Sequence, residues 1–234
     1  MVKSKTSSTS SAGAYFKSLQ SKAAKIGFNL DDSLAAYPKE AVDRIFKGAK
    51  EIYDEFPGLL SGQVDLIGRD GGRGYGSANF SMDVFFPKKY WGSKDGLSKL
   101  DSMKKQDSDT GWHPNNSNTV HHEFGHVIEA TLIRKQLGNT GTLSVMEWYD
   151  GHEMWRKSKI ATQIIGEAAR NVKKTPYGKN KRNDDLVLIV SRYAKQGGRS
   201  EAFAECIADY MANGSNANPL SIEVAKIAKR RLQS

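Results

Sequence analysis

The chain has 234 residues, of which 38% are hydrophobic and 26% charged. A length of this order buries about 70% of the surface that the unfolded chain exposes, so a core forms without staples, and one domain with two lobes around a cleft is the default. The net charge of +9 admits polyanionic partners, the longest aliphatic run (186–190) is far too short to span a membrane, and the single cysteine, Cys206, excludes an internal disulfide and a thiolate metal site.

Residues 1–13 begin Ser/Thr-rich with Lys3 and Lys5, lack the apolar core of a secretory signal, and read as a flexible arm ahead of a single domain over 14–234. Without a signal, the expected setting is cytoplasmic or virion-associated. Residues 14–36 are weakly amphipathic and receive no assignment. Over 38–56 the spacing of Val42, Ile45, Phe46, Ala49, Ile52, Tyr53 and Phe56 predicts a helix, with Pro38 at its start and Pro57-Gly58 ending it. A short strand over 63–67 follows. The glycines of 68–76 suggest a phosphate cradle, but no Lys-Ser/Thr and no helix follows them, so this stretch reads as a loose hairpin connection. Residues 78–86 alternate, with Ala78, Phe80, Met82, Val84 and Phe86 on one face, and predict a half-buried strand. Residues 92–118 read as a polar connection, an active-site rim or a mobile loop. It contains Trp112-His113-Pro114, where His113 either lines a cleft or, as is commoner for a lone loop histidine, is simply exposed.

The next stretch, His122-Glu123-Phe124-Gly125-His126, has the pattern His-Glu-x-x-His. Asn118 is the expected N-cap of a helix running to about Leu137, with Gly138 just past its end. Val120, Phe124, Val127, Ile128, Thr131 and Leu132 form its buried stripe, and His122 and His126 lie off it, four residues apart, where two imidazoles reach one metal ion. Glu123, about 100° round the helix, can touch a water on that metal without being a ligand. This is the pattern of a zinc hydrolase. Gly125 allows another backbone to approach closely. Glu129, one turn beyond His126, reads as a solvated helix residue, with support of a ligand as the alternative. His121 is rotated away and is not expected to be a ligand.

Residues 143–172 read as mostly helical, broken near Gly151; His152 there is a third-ligand candidate on geometry alone, with no supporting pattern. Between Arg156 and Arg182 nine basic residues face one acid, Glu167. This is either a solvated face or a docking surface for nucleic acid or a virion component. Helices are expected around 184–193, from 197 to near Gly214, and from Asn218-Pro219 to Leu232. A catalytic zinc takes a third protein ligand. Glu201 and Glu205 are spaced i, i+4, so one can bind metal while the other orients a ligating histidine. A competing register takes Glu205 as ligand and Asp209 as its support, and periodicity does not choose between them.

Gly197-Gly198-x-x-Glu201-Ala-x-x-Glu205 resembles the third-ligand segment of the thermolysin-like gluzincins. Together with His122-Glu-Phe-Gly-His126, the segment Glu201-Ala-Phe-Ala-Glu205 resembles still more the catalytic domain of anthrax lethal factor, and similar zincin-like domains occur in phage structural proteins. The resemblance spans roughly residues 60–212, with specificity only in the two motif blocks. It implies an α+β, zincin-like fold: a small mixed or antiparallel sheet packed on the active-site helix to about residue 137, then a mainly helical lobe over 138–234. It also implies one Zn2+ ion, Glu201 as ligand, Glu205 as support for a ligand, and Tyr193 as oxyanion stabiliser. The expected activity is zinc-dependent hydrolysis of a protein or peptide by a water that Glu123 activates. The alternatives are a non-proteolytic phage or mobile-element structural protein with a basic docking surface, and a zinc hydrolase acting on a non-peptide bond.

Overall fold

A computed structural model describes residues 8–72, 74–138, 140–141, 151 and 153–234. It is an α+β arrangement in which helices surround a small sheet. Ser8–Ile26 is the first helix, α1, which buries Phe16, Leu19 and Ala23 at helical spacing and ends at Gly27, whose φ of 123° suits only glycine. The expected arm therefore extends at most through residues 1–7, which lie outside the described residues. The predicted helix over 38–56 is present as α2, Lys39–Glu55, with Ala41, Val42, Ile45, Ala49 and Ile52 on its buried face.

The sheet has strand order β1-β2-β4-β3. Phe28–Leu30 (β1) runs parallel to Val64–Arg69 (β2), which runs parallel to Asp83–Pro87 (β4), and Ser77–Ala78 (β3) closes one edge antiparallel to β4. The single strand expected over 78–86 is thus a hairpin. Asn79 accepts the N–H of Asp83 on its side chain at 2.9 Å, and Met82 takes a φ of 70°, which folds the chain back on itself. Phe80, Met82, Val84 and Phe86 are nevertheless all buried, so the alternation marks the inward face of the hairpin correctly.

A second correction concerns 92–118, which is not a continuous loop. After the short helix α3 (Lys88–Trp91), Lys94–Asp109 forms α4, capped by Ser93, whose Oγ accepts the N–H of Gly96 at 3.0 Å. Its buried residues are only Gly96, Leu97 and Leu100, too few for apolar periodicity to register.

Thr119–Gln136 is α5, the helix at the centre of the molecule. From Thr119 to Arg134 every residue except His122 is buried, so the helix is enclosed on nearly all sides rather than along one stripe. Beyond it come α6 (Ile160–Lys173), α7 (Asn183–Val190), α8 (Arg192–Gln196), α9 (Gly198–Asn213) and α10 (Pro219–Gln233). The helix expected over 184–193 is broken at Ser191, which is extended and caps α8 by accepting the N–H of Ala194. Met146, Trp148 and His152 lie outside the described residues. Among the described residues no helix is long and apolar enough to cross a membrane.

The contact that brings the two motif blocks together is between α5 and α9. A Cβ on Gly125 would lie 2.6 Å from Cα of Ala204, so the two backbones meet at this glycine. Gly125→Ala pushes main chain against main chain. We expect a loss of about 1–3 kcal/mol, read from the denaturant midpoint at unchanged m-value; an unaltered midpoint would show that the helices separate freely.

Candidate metal centre

The α5–α9 crossing brings two sequence blocks to one place. Asn118 caps α5 by accepting the N–H of His121 at 2.8 Å. One turn in, the rings of His122 and His126 stand 5.1 Å apart and nearly perpendicular. From the first turn of α9, Oε2 of Glu201 reaches between them, 3.2 Å from Nε2 of His122 and 3.3 Å from Nε2 of His126. That oxygen is buried and makes no hydrogen bond of acceptable geometry. The three side chains offer two nitrogens and one oxygen within 4.8 Å of one another, a group that could hold a metal ion.

The far sides of both imidazoles are engaged, which leaves the two Nε2 atoms to the shared point. Nδ1 of His122 lies 2.7 Å from Oε1 of Glu205, an ion-pair contact whose angle falls short of a hydrogen bond. Glu205 is 1% exposed and stands one turn after Glu201, which brings it behind His122. Nδ1 of His126 lies 3.2 Å from Oγ of Ser200, and Ser200 donates to Oε2 of Glu129 at 2.5 Å. Because the Ser200 proton goes to Glu129, its lone pair faces His126, so Nδ1 carries the imidazole proton and Nε2 is free to ligate. Trp155 Nε1–H also donates to Glu129, which is 2% exposed and not the solvated residue that its sequence position suggests. Ser200→Ala cuts this chain without touching a donor atom. Metal affinity should fall about 10- to 100-fold in a chelator competition, and an unchanged affinity would show that packing alone holds His126.

Glu123 and Tyr193 complete the setting. Glu123 is 6% exposed beneath Gly76, whose absent Cβ would lie 2.9 Å from Cγ of Glu123. The glycine-rich stretch is therefore more than a connection: Gly74, Tyr75 and Gly76 line a cavity of about 300 Å³ that also exposes His122, Glu123, Tyr193 and Glu205. Tyr193 follows the break at Ser191; its N–H bonds to the carbonyl of Trp112 at 3.1 Å, and Arg192 N–H to that of Gly111 at 2.9 Å. These bonds strap the 111–113 loop to α8. The Tyr193 ring lies 6.1 Å from that of His122 and 5.2 Å from that of His113. His113 is part of the cluster rather than exposed, with Nδ1 2.9 Å from the same Glu205 oxygen that serves His122.

The charges follow from these neighbours. Burial opposes ionisation throughout, but Glu201 and Glu205 raise the His122 pKa to about 10. Against the same burial, His122 and His126 hold Glu201 well below the ordinary carboxylate range, and His113 and His122 hold Glu205 at about 2. Burial pushes Glu123 up, opposed by the two histidines, and pushes Tyr193 to about 12 with help from Glu201 and Glu205.

Other candidates fall away. Asp209 accepts from the side chain of Asn213 and the backbone of Asn218, so it anchors the end of α9 rather than supporting a ligand. His121 faces α2, 2.9 Å from Glu51. The sequence pattern singles out neither Ser200 nor Lys104; Ser200 carries a signal, its place beside Glu201, whereas Lys104 carries none. A scan against protein-family models gives no match to this chain, and searches of the curated proteins and of the solved structures give none either.

Proposed function

We propose that the protein is a zinc-dependent peptidase of the zincin type. The observation that carries this reading is the meeting of His122 Nε2, His126 Nε2 and Glu201 Oε2 beside the buried Glu123. Tetrahedral sites with ligands at about 2.0–2.1 Å have ligand-to-ligand edges of about 3.3 Å, close to the 3.2 and 3.3 Å separations found here. Two imidazoles and a carboxylate are donors that zinc favours, and His122 also lines the cavity. Zinc, when bound there, supplies Lewis acidity and lowers the pKa of a bound water toward about 7.

The chain's own groups do the rest. Glu123 accepts the proton of the attacking water and returns a proton to the leaving nitrogen. The Tyr193 phenol, kept neutral by its raised pKa, donates to the oxygen that becomes negative. Glu205 holds the His122 ring by charge at 2.7 Å, and the pair Ser200 and Glu129 holds His126 in the ligating tautomer. The substrate edge is β3, because β4 is paired on both sides. Ser77–Ala78 follow directly on Gly76, so an extended peptide added along this edge passes over Glu123.

The decisive experiment is metal analysis of the purified chain combined with cleavage of a broad peptide library. Zinc at about one ion per chain with cleavage supports the reading. Zinc without cleavage favours a structural protein that keeps the site, and no metal binding overturns both. A docking role for the basic surface rests on charge alone, and three of its nine basic residues, Arg156, Lys157 and Arg182, pair with a nearby carboxylate.

A further inference from the structure

The cavity beside Glu123 contains one cationic side chain that the reaction does not use. Lys104, on α4, lines this cavity and donates to Oγ1 of Thr119 at 3.3 Å. Thr119 is the first residue of α5 and lies one turn before Glu123 on the same face. Among the described residues no carboxylate comes within 4.0 Å of the Lys104 ammonium; besides Thr119 its contact is the face of the Tyr75 ring, 5.9 Å from the centroid. Of the carboxylates at longer range, Asp107 accepts from Tyr75, Glu205 serves His113 and His122, and Asp101 pairs with Arg44, while Glu123, which lines the same cavity, adds its charge. Burial makes such a cation costly, and those carboxylates only partly offset the cost. The N-terminus of α5 adds positive potential at the same point. Tyr75 and Trp112 provide flat apolar walls.

We propose that Lys104 determines substrate specificity by pairing with a peptide carboxylate one or two residues from the scissile bond. The proposal rests on the peptidase reading for its place in a reaction, but the pocket is testable without turnover. One helical turn is about 5.4 Å, and an extended peptide advances about 3.3 Å per residue, which sets that distance along the substrate. The carboxylate is either the side chain of Asp or Glu or the free end of a chain; both present the same planar acceptor.

Binding and cleavage separate the outcomes. N-acetyl-Ala-Glu-Ala-amide, its Gln analogue, and N-acetyl-Ala-Ala-Ala with a free carboxylate are titrated calorimetrically into the zinc-loaded full chain carrying Glu123→Gln, with Lys104 intact or changed to Met or Arg. With Lys104, one of the two acids binds about 10- to 100-fold tighter than the Gln peptide, the range of a charge-assisted pair. Lys104→Met removes the ratio and Lys104→Arg restores it; the Arg variant also shows that the fold tolerates the position. The acid preferred identifies the source as internal or terminal. Equal binding of all three peptides, or a preference that survives Lys104→Met, overturns the proposal. In a library digest the wild-type chain enriches acidic residues near the cut and Lys104→Met does not. A chain that cuts nothing but keeps the binding ratio loses the peptidase reading and retains the carboxylate pocket.

Discussion

Glu123→Gln leaves zinc bound and lowers kcat/KM about 100- to 10,000-fold, because the amide occupies the same volume but cannot accept a proton. Among the described residues Glu123 makes no hydrogen bond, and it sits beneath Gly76 on the face of α5 that carries His122 and His126. Its carboxyl is pushed up by burial and pulled down by His122 and His126, an environment that suits a group that must take and give a proton in one turnover. The measurement pairs kcat/KM with metal content and melting temperature. Activity within threefold of wild type at full metal occupancy would remove Glu123 from the mechanism.

Metal binding should stabilise the fold, and Glu201→Gln should abolish that effect. A ligand that binds only the native state at a hundredfold excess over its Kd contributes about 2.7 kcal/mol, or about 5 to 10 °C in melting temperature at this chain length. The three donors lie on two helices, α5 and α9, so the ion ties together elements that unfolding separates. Removing one carboxylate charge leaves two imidazoles, which do not hold a catalytic zinc. Binding also falls with acidity: the metal-free site holds a proton on His122, up to about 10, that entry of the metal must displace. Affinity therefore rises with pH below that value. Equal zinc-dependent melting shifts in wild type and Glu201→Gln would show that the ion binds elsewhere.

Much of this site was legible because its chemistry is periodic. His122, Glu123 and His126 fall on one helix, and Glu201 and Glu205 on another, so spacing alone groups each set; their meeting across Gly125 is a tertiary fact that only the glycine hints at. Between the Glu201 and Glu205 registers the sequence was neutral, and the geometry favours Glu201 because its oxygen, not that of Glu205, lies between the two Nε2 atoms. Where the reading failed, long-range contacts overrode local pattern. Glu129 looked solvated because the carboxylate carries no mark of its burial under Trp155 and Ser200. His113 looked exposed because its partner Glu205 is far away in sequence. The helix α4 leaves no apolar periodicity because its buried stripe is narrow, and Lys104 lies within it.

The crossing of α5 and α9 at Gly125 has a further consequence, in time rather than in space. Both imidazoles leave the ribosome long before Glu201 does, since α6, α7 and α8 are made in between. At about 5–20 residues per second, the growing chain passes several seconds as a helix with two donors and no carboxylate to complete them. A product stalled anywhere before Glu201 is therefore inert toward its neighbours, and the hydrolytic centre proposed here comes into being only as the last helices dock.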